Sequence, residues 1–92
     1  MTYRIYDGYS MTFSDLPSEE HVCMRFTGLS DTKGRQIFEG DIVSSENGEM
    51  SGPVEWDEFA KRFAVRFGRE LIPLTTLKGI VVGNAFENPE KL

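Results

Sequence analysis

Ninety-two residues make one domain with a single small core, and at this length about 60–65% of the unfolded surface is buried on folding. A net charge of −5, with the acids spread along the chain, suits a grip on phosphates poorly unless the ten Lys and Arg gather on one face. The single cysteine excludes an internal disulfide, and no apolar run reaches the ~18–20 residues of a membrane span. Met1-Thr2-Tyr3-Arg4 opens no signal peptide, so a soluble, cytoplasmic protein is expected.

Tyr3 to Tyr6 is aromatic and β-branched and reads as a strand ended by Asp7-Gly8. Ser14 to Glu20 carries helix-start signals: Ser14 or Asp15 as cap, Pro17 early, then Glu19 and Glu20. It predicts one or two helical turns. His21 to Thr27 alternates, placing Val22, Met24 and Phe26 on one face and His21, Cys23 and Arg25 on the other.

Asp31-Thr32-Lys33-Gly34 is a turn, followed by Gln36 to Phe38 and a strand starting at Ile42-Val43. Asn47-Gly48 is a hairpin signal leading into Pro53 to Asp57. The chain turns near Glu58 to Lys61 and returns through Arg62 to Phe67, with Phe63, Val65 and Phe67 sharing a face. Leu71 to Leu74 and Lys78 to Asn84 are the last strands, and Asn88-Pro89 caps a final helical turn. Short strands with turn signals at this spacing predict a mainly β fold. Closure into a small barrel would remove exposed edges.

The segments Phe26-Thr27-Gly28-Leu29, Asp31, Gly34 and Ile37-Phe38-Glu39-Gly40-Asp41-Ile42-Val43 resemble the signature of the YopX family. Val81-Val82-Gly83-Asn84-Ala85-Phe86-Glu87-Asn88-Pro89-Glu90 is similar to that family's closing motif. Gly52-Pro53-Val54-Glu55-Trp56-Asp57 and, less specifically, Tyr3 to Asp7 resemble its hairpin and opening strand. The resemblance implies a single domain over residues 1–92, a small barrel of the Src-homology or Tudor type with one or two short helical turns. Such proteins are usually encoded by phages or prophages. It implies no catalytic residues, because none are established for the family.

Four features could carry chemistry. Glu39-Gly40-Asp41 sets two carboxylates across a glycine, as an acid/base pair or hard-metal site would, but Asp and Gly also dominate turns for local reasons. Turn chemistry is the reading taken. His21 and Cys23 lie two apart on a strand, yet no further His or Cys completes a metal set or a triad, so neither catalysis nor a metal or other cofactor is expected.

Trp56 and Phe59, beside Arg62 and Arg66, form the surface assigned to binding, with a host or phage protein as partner. Lys61 to Arg69 is the only local concentration of cations and supports a nucleic-acid alternative, against the bland reading of cross-strand pairs with Glu55, Asp57 and Glu58. A third reading is self-assembly through an edge strand, Tyr3–Tyr6 or Leu71–Leu74. Asn84 to Pro89 fixes a turn, with Phe86 and Leu92 closing one end of the barrel.

Overall fold

The computed structural model describes residues 2–92. Among these described residues, nine strands form two antiparallel sheets, one with order β2-β1-β3-β4 and one with order β8-β7-β6-β5-β9. The first comprises β1 (Tyr3–Tyr6), β2 (Met11–Ser14), β3 (Val22–Ser30) and β4 (Gln36–Phe38). The second comprises β5 (Asp41–Ser45), β6 (Ser51–Asp57), β7 (Arg62–Phe67), β8 (Glu70–Pro73) and β9 (Gly79–Asn84). The mainly β architecture expected from the strand spacing is therefore present. Neither sheet closes on itself, so the ladders do not by themselves define a Src-homology or Tudor-type barrel.

The core lies between the sheets, where Ile37, Val43, Val54, Val65 and Leu74 are buried. Phe63 and Phe67 pack against it, as the alternation of β7 predicts. Gly48, at φ 76°, turns β5 into β6 as the Asn-Gly signal predicts.

Three expectations are corrected. Met11–Ser14 is a strand, and residues 15–21 contain no helix. The side chains that would cap a helix instead make local bonds, Ser14 Oγ accepting from the Leu16 amide and Ser18 Oγ from that of Glu20. Ser, Thr and Asp offer the backbone such alternatives readily, and here only Ser14 pairs in the sheet, with Tyr3, while residues 15–21 run as bends and irregular chain. Tyr3–Tyr6 is also no edge: β1 pairs with β2 on one side and β3 on the other. The edges are β2, β4, β8 and β9. The closing turn does form as a 3-10 segment, Pro89–Lys91, but Leu92 stays 64% exposed and closes nothing.

Hydrogen bonds account for several of the signature residues. Asp31, in the β3–β4 loop, accepts from the backbone N–H groups of Lys33 (2.9 Å), Arg35 (2.8 Å) and, across to the other sheet, Val81 (2.9 Å). The Thr32 amide donates to Gly79 O at 3.1 Å, so this loop fastens the first sheet to the outer edge of β9. Thr27 Oγ1 donates to Ile37 O at 2.7 Å and ties β3 to β4. Asn84 Oδ1 accepts from the amides of Phe86 and Glu87, while Asn88 Oδ1 accepts from that of Asn84. Gly40 has φ 89°, a left-handed conformation that favours glycine, and a Cβ there would also press on the Phe86 ring at 3.0 Å.

Candidate functional site

Below the point where the β3–β4 loop grips β9, the sheets part and leave a cleft of about 500 Å³. Arg4 comes from β1, Met11 and Phe13 from β2, Phe38 from β4, Asp41 from β5 and Val81 to Asn84 from β9. Register explains the convergence. Arg4 lies opposite Phe13 on one neighbour and Met24 on the other, and Tyr6 opposite Met11 and Val22, so these side chains share the inner face of the first sheet. The second sheet covers only part of that face. Met24 and Phe38 are buried, whereas Phe13 is 57% exposed and Val22 38%.

At the cleft floor, Asp41 is 1% exposed and its Oδ1 accepts from Arg4 Nη2. Its Oδ2 accepts from the Phe38 amide at 2.8 Å. Burial pushes the Asp41 carboxyl above its ordinary range, opposed by the Phe38 N–H and the Arg4 guanidinium. The Arg4 guanidinium also lies 4.9 Å from the centre of the Phe38 ring and reaches Met24 Sδ at 3.4 Å.

A second arginine–carboxylate pair lies on the opposite face of β3 from Met24. Arg25 donates to Glu39 through Nε at 3.1 Å and Nη2 at 2.9 Å, and Glu39 also accepts from the Arg25 amide. Burial works against the Glu39 charge, but these bonds outweigh it and hold the carboxyl below its usual range. The Arg25 guanidinium lies 5.2 Å from the ring centres of both Trp56 and Phe63. Glu39 and Asp41 therefore serve two different arginines. Asp41 also accepts from the local Phe38 amide, as the turn reading anticipates, whereas Glu39 accepts from the Arg25 amide on β3, a bond that is not turn chemistry.

The residues singled out from sequence on the β6–β7 hairpin do not share one surface. Trp56 lies opposite Phe63 and Asp57 opposite Arg62, so alternation puts Trp56 on one face and Arg62 and Arg66 on the other. Trp56 packs edge-on against Phe63 at 5.0 Å and donates from Nε1 to Glu58 at 2.8 Å. Phe59 stands 99% exposed at the hairpin tip. Arg66 is tied to Glu55 at 2.7 Å and Lys61 to Glu58, the cross-hairpin pairing that sequence alone allows.

His21 precedes β3, and Cys23, opposite Ile5 within it, is a free thiol. Among the described residues, no group of three or more His, Cys, Asp or Glu is placed to hold a metal ion. No helix among them is long and apolar enough to cross a membrane.

Two short-stranded sheets, fastened by a side-chain seam and parted over a mixed apolar and charged cleft, define a small all-β module. The family model described as YopX protein matches residues 3–92, so the chain belongs to the YopX family. No curated protein matches it.

Proposed function

We propose that this protein is a non-enzymatic binding module of phage or prophage origin, acting in the cytoplasm through contacts with another protein. The observation that carries the reading is the cleft of about 500 Å³, with the half-exposed Phe13 at its mouth. Its size lies within the ~300–1,000 Å³ range of binding clefts, and exposed aromatic surface of this kind favours protein partners. The side-chain fastening of β3–β4 to β9 supports treating the two sheets as a small barrel-like unit of the Src-homology or Tudor type. Phe59, exposed at the hairpin tip, is a second contact point on this reading.

Nucleic acid is the alternative partner, through Arg62 and Arg69, which make no ion pair among the described residues. The pairing of Lys61 and Arg66 with Glu58 and Glu55 weighs against it, as does the net charge of −5. Affinity capture of the tagged protein from bacterial lysate, with and without nuclease, separates the two. A specific protein retained through nuclease treatment supports the protein-contact reading. Loss of every recovered protein on nuclease treatment transfers the function to nucleic acid.

A further inference from the structure

We infer that the cleft receives a carboxylate carried on an apolar group, with Arg4 and Arg35 meeting the charge and Met11 and Phe13 the apolar part. This rests on the binding-module reading and specifies what the cleft recognises.

The argument begins with unused donors. A guanidinium has five N–H groups. Arg4 spends only Nη2, on Asp41 and on Met24 Sδ. Its Nε is buried without a partner, and its Nη1 makes no hydrogen bond among the described residues. Arg35, on the same cleft, gives Nη1 to Val81 O at a long 3.4 Å and keeps Nε and Nη2 uncommitted among the described residues.

The acids nearby are largely engaged, Glu87 Oε2 being the one carboxylate oxygen of the cleft without a bond among the described residues. Both oxygens of Asp41 accept hydrogen bonds, and Glu87 Oε1 accepts from Asn84 Nδ2 at 2.8 Å. Donors therefore outnumber acceptors, which calls for an anionic acceptor. Planar guanidinium groups match a carboxylate's two oxygens.

The walls select what the anion is attached to. Met11 and Val82 line the cleft, and Phe13 leaves more than half its surface free while resting 5.8 Å from Phe38, centre to centre. A singly charged carboxylate on an apolar side chain fits this better than a phosphate, which would set a higher charge beside Glu87 in a protein of net charge −5. Both a partner's C-terminal residue and a free aromatic acid have this chemistry.

NMR titration of the 15N-labelled full chain with acetyl-Gly-Gly-Phe, its C-terminal amide, 3-phenylpropanoate and inorganic phosphate tests the inference. The peptide acid is expected to shift the amides of Arg4, Phe13, Gln36 and Gly83, with the amide probe and phosphate much weaker. Arg35→Gln is expected to weaken the acid at least about tenfold, which corresponds to ~1.4 kcal/mol. Phe13→Ala serves as the second variant, with a lower affinity expected and the dispersed spectrum confirming its fold.

A peptide acid that binds more tightly than 3-phenylpropanoate supports a protein C-terminus as the source. The reverse order supports a free small acid. Equal response to acid and amide, preferred binding of phosphate, shifts away from the cleft, or no binding by any probe overturns the inference. If nuclease-resistant capture persists after such a failure, only the carboxylate recognition falls. If capture fails while 3-phenylpropanoate binds, the protein-contact reading falls and the acid site stands.

Discussion

The two halves of the boundary between the sheets are built in opposite ways. Toward Gly79, the outer edge of β9 is closed by side chains and backbone from the β3–β4 loop: Thr32 on Gly79, Asp31 and Arg35 on Val81. Toward Asn84 the sheets separate over Arg4 and Asp41, and an aromatic face stays partly uncovered. An unpaired β edge is a template for association, so the first arrangement also blocks strand addition at β9. The difference teaches that signature residues build both halves, Asp31 holding the seam and Phe38, Asp41 and Val81 to Asn84 lining the cleft, whereas Met11 and Phe13, which belong to no recognised motif, are added on the open side.

The largest effect should come from the floor of the open half. Asp41→Ala removes the acceptor of both the Phe38 amide and the buried Arg4 guanidinium, and a loss of roughly 3–5 kcal/mol is expected in urea denaturation. The double replacement Arg4→Met with Asp41→Leu should cost much less than that, because it removes both charges together. If the single and double variants are equally destabilised, packing rather than charge governs the floor.

The closed half comes next. Asp31→Ala removes the acceptor of three backbone N–H groups and is expected to cost about 2 kcal/mol, allowing for its partial exposure. Burial alone would raise the Asp31 carboxyl, but the Val81, Arg35 and Lys33 amides outweigh it and hold it below 3.8. Glu39 likewise sits below 4.5. Both groups bind fewer protons folded than unfolded. Their stabilisation is present above these values and is lost as pH falls through the folded ones. Asp41 is shifted upward from 3.8 and acts in the opposite sense, its contribution declining as pH rises through its folded value. Asp31→Asn should therefore lose less stability on acidification than the wild type, as read by thermal melts below pH 4.5.

Gly83→Ala sharpens the boundary between the halves. A Cβ there would lie 2.6 Å from Asn88 Oδ1, which accepts from the Asn84 amide. Displacing that side chain is expected to cost about 1–2 kcal/mol, measured by the shift in denaturation midpoint. Phe13→Ala should have the smallest effect on stability, under about 1 kcal/mol for a ring already more than half exposed.

Local signals made much of this molecule legible. Alternation located β7 to the residue, and Asn47-Gly48 marked the β5–β6 turn. The Ser14 to Glu20 segment misled because Ser, Asp and Pro serve helix starts and bends alike, and residues 15–20 take the bends. Gly40-Asp41 was legible as turn chemistry, but the arginines that Glu39 and Asp41 engage were not. Arg4 lies 37 residues from Asp41, and no local pattern reports a contact over that separation. The cleft is hidden for the same reason, being assembled from β1, β2, β4, β5 and β9. Trp56, Arg62 and Arg66 are close in sequence, yet strand alternation divides them between two faces.

The most direct test of the account is nuclease-resistant capture by Phe13→Asp beside Phe59→Ala and wild type, each verified as folded. The account predicts that Phe13→Asp loses the partner recovered by wild type, while Phe59→Ala retains at least part of it. Full recovery by Phe13→Asp, with loss confined to Phe59→Ala, would contradict the cleft as the binding site and move it to the β6–β7 tip.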